Sequence, residues 1–329
     1  MPANLPPQYF GAEKTFREAK NPLEKIAALE EMLAIMPHHK GTDHLRAELR
    51  GRIAKLTQLA EKKSGARRAS LAIEREGAAQ VAVIGLPNAG KSQLVSNITN
   101  ASPPVADYPF TTHSATPGMM EFENIKIQLI DTPPLVPQST EFWLPPLLRR
   151  ADALLIMVDL STAPLQQMEA ITRQLEKMRI VILPLKDAEV KEDAEFTTWH
   201  QKALIIGNKL DLEGASHNYT ALKNEYEGRL PLIAISAREG TGLEELKHKI
   251  YEVLNIIRVY TKMPGKKPDF ADPIILKRGS TLADAAAEVH KDFASKMKYA
   301  RIWGSGKHDG LMARRDHVLE DGDVIELHL

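Results

Sequence analysis

Gly85-Leu86-Pro87-Asn88-Ala89-Gly90-Lys91-Ser92, GLPNAGKS, follows the apolar run VAVI and opens SQLVSNI, a stretch with helical spacing. It fits G-x-x-x-x-G-K-[ST] in full, in the strand–loop–helix setting that the pattern requires. The loop amides and the N-terminus of the following helix form a cradle for a phosphate, drawn from Asn88, Ala89, Gly90, Lys91, Ser92 and Gln93. Lys91 is expected to reach the β- and γ-phosphates, and Ser92 to hold Mg²⁺.

Around this loop the pattern is one of short apolar runs separated by helical segments. VAVIGL, IKIQLID, ALLIMVDL, ALIIGNKL and LPLIAIS are the runs. Such spacing predicts an α/β domain with a mostly parallel sheet covered on both faces. RIVILPL is a candidate further strand, and DAEVKEDAEFTTWH reads as a loop or a short helix. Asn208-Lys209-Leu210-Asp211 ends one of the runs. Its carboxylate can accept two hydrogen bonds from the guanine N1–H and 2-amino group, a donor pair that adenine lacks. Asn208 and Asp211 are therefore expected to select guanine, with Lys209 packed over the base. SAREGTG follows LIAI; its backbone can meet the guanine O6, with Ser236 and Ala237 closing the pocket.

The flanks differ from this centre. Residues 1–77 carry a net charge of +4, residues 78–262 hold the phosphate and base motifs, and 263–329 form a third part. Leu23, Ile26, Ala27, Leu29, Leu33 and Met36 recur at helical spacing, MPHHKGTDH breaks the run, and Thr42 or Asp43 can cap a second helix. This predicts a helical hairpin followed by a basic linker, KKSGARRAS. His38, His39 and His44 read as a polar turn, since no companion has metal-ligand spacing. LEELKHKIYEVLNIIRVYT reads as the closing helix of the central domain and KMPGKKPDFADP as a linker. The tail reads as a small mixed domain. The 329 residues contain no cysteine, which excludes disulfides and thiolate chemistry. No apolar run is long enough to span a membrane, and the first residues lack a signal-peptide pattern, so a cytoplasmic location is expected.

GLPNAGKS, YPFTT, NKLD, SAREGTG and the tail around YARIWG and DGDVIEL together resemble the Obg-like GTPases of the translation-factor class, in particular developmentally regulated GTP-binding proteins. The resemblance covers most of the chain. It implies a P-loop G domain between a helical hairpin and a β-grasp TGS domain. It also implies binding of GTP and GDP with Mg²⁺, and association with the ribosome or RNA. It marks Thr112 as the switch threonine that ligates Mg²⁺ and meets the γ-phosphate, with Thr111 as a rival. It also gives Asn88 a role in holding K⁺, beside its reading as a turn residue. The larger helper domain that some relatives insert is not expected here.

DTPP, Asp131 to Pro134, departs from that resemblance. Asp131 keeps the supporting place at the Mg²⁺ site. Related switches end in a glycine whose N–H meets the γ-phosphate, and Pro134 has no N–H. The missing charge-assisted bond is worth roughly 1.5–3 kcal/mol. Leu135 stands where Ras-like enzymes have a water-orienting glutamine, and Gln138 is near in sequence. Three readings follow: a slow GTPase, a guanine-nucleotide scaffold that does not turn over, or an RNA or ribosome adaptor indifferent to nucleotide. For the last, Arg67, Arg68, Lys266, Lys267, Lys296, Lys298 and Arg301 are candidate phosphate contacts.

Overall fold

The computed structural model describes residues 6–19, 22–36, 42–64, 73–99, 115–136, 143–184, 198–304 and 310–328. Three helices come first: α1 (Pro7–Glu18), α2 (Pro22–Ile35) and α3 (Asp43–Ser64). The last two make the expected hairpin. The first lies upstream of that hairpin: Tyr9, Ala12 and Phe16, spaced three and four apart, pack on Leu29, Met32 and Met36. Pro7 at the first helical position starts it, where the missing N–H costs nothing. Buried Arg46 donates to Met36 O at 2.8 Å and so satisfies a carbonyl at the end of α2.

The central sheet is built from β1 (Ala79–Gly85), α4 (Lys91–Ile98), β2 (Thr116–Phe122), β3 (Ile125–Asp131), α5 (Leu144–Arg150), β4 (Ala153–Asp159) and α6 (Pro164–Lys177). Among the described residues, the short strands β5 (Ile180–Ile182) and β6 (Trp199–Gln201) pair only with each other. Then come β7 (Ala203–Asn208), α7 (Ala215–Tyr226), β8 (Leu232–Ala234) and α8 (Leu243–Leu254). Strand order is β2-β3-β1-β4-β7-β8, parallel except for the edge strand β2, which runs antiparallel to β3. Val81 and Val83 enter one apolar cluster and Ala82 and Ile84 the other, so β1 is covered on both faces. RIVILPL contains β5. The end of the polar segment, expected as loop or helix, is β6, where Trp199 stacks under the Arg149 guanidinium at 4.1 Å.

A second sheet follows, made of β9 (Ile256–Thr261), β10 (Asp269–Lys277), β11 (Tyr299–Trp303), β12 (Leu311–Ala313) and β13 (Val324–His328). Its order is β10-β9-β13-β11-β12, with β13 parallel to β9. α9 (Leu282–Val289) packs Leu282, Ala285 and Ala286 against it, and α10 (Lys291–Lys296) follows. The expected single helix LEELKHKIYEVLNIIRVYT is therefore corrected: it ends at Leu254. Asn255 takes a left-handed conformation (φ 55°), and the β-branched run Ile256, Ile257, Val259 continues as a strand. The second sheet thus starts upstream of residue 263. The expected linker is corrected too: DFADP already belongs to β10.

One cluster joins the two sheets. Glu123 and Asn124 form the turn of the β2–β3 hairpin. Arg258 of β9 pairs with Glu123, donates to Asn124 Oδ1 at 3.2 Å and holds Asp321 Oδ2 at 2.7 Å. Tyr251 of α8 donates to Asp321 Oδ1 at 2.8 Å and stacks on Phe122. Asn124 donates to the Tyr260 hydroxyl at 2.7 Å and to Phe270 O at 3.1 Å.

Candidate nucleotide-binding site

The phosphate loop leaves β1 at Gly85 and enters α4 at Lys91. Asn88 (φ 61°) and Gly90 (φ 94°) are both left-handed. At Gly90 only glycine fits, because a Cβ there would lie 2.3 Å from Asn208 Nδ2. Leu94 N donates to Gly90 O at 2.9 Å. That is the first intrahelical bond, so the amides of Lys91, Ser92 and Gln93 have no partner within the helix. Such amides, with the helix dipole behind them, are suited to meet an anion.

Lys91 is buried and its ammonium donates to Gly85 O (3.2 Å) and Leu86 O (3.1 Å). Burial lowers its pKa and the Asp131 charge opposes the shift. Ser92 Oγ donates to Asp131 Oδ2 at 2.5 Å. Asp131 Oδ1 is buried with no partner among the described residues. Burial raises the Asp131 pKa, against the Ser92 bond and the Lys91 charge. A hydroxyl beside a carboxylate with one free oxygen is an all-oxygen donor set, which suits Mg²⁺ directly or through its waters. Thr111 and Thr112 lie outside the described residues.

The DTPP stretch is held against the same loop. Thr132 N and Oγ1 both donate to Val83 O, at 3.3 and 2.7 Å. Pro133 and Pro134 have no N–H. Leu135 N donates to Gly85 O at 3.0 Å, and its side chain is 1% exposed in the core beside Leu144 and Leu148. From Thr132 to Leu135, every backbone N–H is therefore absent or already bonded. Gln138 lies outside the described residues.

At the base end, Asn208 is the hub. It is 2% exposed, donates to Ala89 O at 2.9 Å and accepts from Ala237 N at 2.9 Å. One side chain thus ties the phosphate loop to the base loop. Asn97 of α4 adds a second tie, to Ala237 O at 2.6 Å. Ser236 Oγ donates to Asp211 Oδ1 at 2.6 Å; this bond is the first cause of the low Asp211 pKa and fixes the carboxylate's orientation. Ala237, expected to close the base pocket with Ser236, has its amide bonded to Asn208. Lys209 (φ 68°) sends its ammonium to Asp159 Oδ2. Asp159 belongs to no nucleotide motif; its only signal in the sequence is a carboxylate ending the apolar run ALLIMVD.

Comparison with known proteins gives two family matches: "50S ribosome-binding GTPase" over residues 80–186 and "TGS domain" over residues 257–329. An uncharacterized GTP-binding protein of Methanocaldococcus jannaschii is 31% identical, with 92% of each chain covered. That alignment runs over 362 positions, so the relative has stretches without counterpart among these 329 residues. GTP-binding protein 1 of Schizosaccharomyces pombe is 29% identical over 93% of this chain and 98% of its own. The solved structure of a GTP binding protein from Pyrococcus horikoshii OT3 shares the fold: TM-score 0.51, 17% identity, 76% of this chain and 99% of that one.

Proposed function

The chain belongs to the GTP-binding proteins that join a GTPase domain to a C-terminal TGS domain, the group that includes the developmentally-regulated GTP-binding proteins, and from that premise we propose that it binds GTP and GDP with Mg²⁺, hydrolyses GTP slowly and acts with the ribosome or RNA. The observation that carries the nucleotide reading is the Asn208 bridge, which sets the phosphate cradle and the base-selecting loop at fixed separation. Asp211, oriented by Ser236, reads guanine. Lys91 leaves the Gly85 and Leu86 carbonyls to neutralise the β- and γ-phosphates. Ser92 and Thr112 would hold Mg²⁺ with Asp131 in support, and the bound ion would supply positive charge against the phosphate oxygens. Asn88, at the outer turn of the loop, is the candidate K⁺ residue.

Turnover is slow in this reading because no DTPP amide meets the γ-phosphate and Leu135, buried in the core, orients no water. The same feature favours a second reading, a guanine-nucleotide scaffold without turnover. Single-turnover GTP hydrolysis with Mg²⁺, in K⁺ and in Na⁺ buffers, decides between them. Phosphate release above the buffer blank supports the slow GTPase, and faster release in K⁺ supports Asn88. No release from chain that demonstrably holds GTP leaves the scaffold.

The ribosome or RNA partner draws support from the description of the matching GTPase family and from exposed Lys266, Lys267, Lys298 and Arg301. Arg67 and Arg68 lie outside the described residues, as does the Lys296 side chain. RNA binding that is steeply salt-dependent and equal with GDP, GTP or no nucleotide would instead support the adaptor reading. Among the described residues no helix is long and apolar enough to cross a membrane. A cytoplasmic location remains part of the proposal.

A further inference from the structure

The end of β4 is tied to the base-selecting strand in a way that the nucleotide motifs leave unassigned. Asp159 pairs in register with Asn208 on β7, and Leu160 N donates to Asn208 O at 2.9 Å. The two oxygens of the Asp159 carboxylate have separate partners. Oδ1 accepts from Ser161 N at 2.8 Å and from Ser161 Oγ at 2.6 Å. Oδ2 accepts from the Lys209 ammonium. Gln167 of α6 pins the Asp159 backbone on both sides, accepting from its N–H and donating to its C=O, each at 2.9 Å. The carboxylate is therefore fixed before Lys209 meets it. Its side chain is only 14% exposed, and that of Lys209 is 30% exposed.

A lysine has a long, rotamer-rich side chain, and holding it in one place needs an anchor at its tip. The left-handed backbone of Lys209 turns its side chain off the strand, toward Asp159. With the ammonium held there, the four-carbon stem is left as a fixed apolar ledge between the residue that bridges the loops, Asn208, and the one that reads the base, Asp211.

We propose that Asp159 is a positioning residue for guanine-nucleotide binding: by holding the Lys209 ammonium it lays the lysine stem against the base, setting how long the nucleotide stays without choosing which base it is. The proposal rests on the guanine-nucleotide reading above. The test is GDP binding by titration calorimetry and release of radiolabelled GDP by the full chain and by Asp159→Asn, Lys209→Met and the double variant. Each single change is expected to weaken GDP and GTP alike, by about tenfold and mainly through faster release, as loss of a charge-assisted bond predicts. The double variant is expected to match Lys209→Met, because Asp159 acts only through Lys209. The ratio of GDP to XDP affinity, which belongs to Asp211, is expected to stay fixed. Unchanged GDP release in Asp159→Asn, or two losses that multiply in full in the double variant, would overturn the proposal. Ser161→Ala covers the case in which Asp159→Asn does not fold. It removes one of the two bonds to Oδ1, leaving the one from the backbone N–H of residue 161, and is expected to speed GDP release about threefold, on the scale of one side-chain hydrogen bond; no change counts against the proposal. Failure of the unaltered chain to bind GDP at all would instead sink the nucleotide reading itself.

Discussion

Gly90 stands with φ at 94° and no room for a Cβ, because the Asn208 amide lies where one would go. Gly90→Ala therefore has to push Asn208 off the Ala89 carbonyl and break the bridge between the loops. We expect it to cost about 2–4 kcal/mol of stability, from left-handed strain and a lost buried bond, and to abolish measurable GDP binding. Urea unfolding and calorimetry would check both. Asp211→Asn is the complementary case. It keeps the fold but removes the carboxylate proposed to meet the guanine donor pair, so GDP affinity should fall at least about a hundredfold while XDP is admitted. Equal GDP selectivity in that variant would remove Asp211 from the base site. These residues were legible in the sequence because their types follow from local demands: a left-handed turn, a helix N-terminus, a carboxylate at a strand end. Asp159 was not, since its use depends on the ends of β4 and β7 meeting in space, fifty residues apart.

At the scale of elements, the DTPP loop and the start of β9 teach different lessons. The loop's chemistry could be read directly, because proline lacks an N–H wherever it stands. What the sequence did not show is that the next available amide, Leu135 N–H, is also committed, to the carbonyl that begins the phosphate loop. Pro134→Gly should restore a donor. We expect the preference for GTP over GDP to rise about tenfold, with a loss of about 0.5–1 kcal/mol of stability from the freer unfolded chain. Competition between the two nucleotides and urea unfolding would measure the two effects, and an unchanged preference would show that the donor cannot reach the phosphate. The α8–β9 junction was misread because helical spacing persists through LNIIRVYT. Only the left-handed turn at Asn255 and the pairing of Ile256–Thr261 with β10 and β13 separate strand from helix, and the pairing is not a local property. Edge strand β2 escaped for a similar reason: TPGMMEF is neither continuously apolar nor cleanly alternating, and it is a strand because β3 lies beside it.

Across the whole molecule, Arg258 is the residue on which the two sheets lean. Its side chain is 12% exposed and contacts Glu123, Asn124 and Asp321. Arg258→Met would leave Asp321 half-buried and short of its cation, at a cost of about 2–4 kcal/mol measurable by urea unfolding. The acid limb of stability carries a second signature. Burial alone would raise the Asp321 pKa, but the bonds from Arg258 and Tyr251 outweigh it and hold the carboxyl below its ordinary value. A carboxylate whose folded pKa is depressed stabilises the fold above its unfolded pKa, about 4, and loses that contribution as pH falls through the lower folded value. Stability measured between about pH 4 and pH 2 should therefore fall less steeply in Arg258→Met than in the unaltered chain. One consequence lies outside stability. Asn255 alone separates the last helix of the first sheet from the first strand of the second, and Arg258, three residues further on, bonds back to Asn124 in the β2–β3 turn of the first sheet. The second domain is thus not a load on a tether but part of the same rotor. A dye fixed to β11 should lose its polarisation with one correlation time, that of the joined pair, and not with the faster tumbling of a small domain swinging on its own.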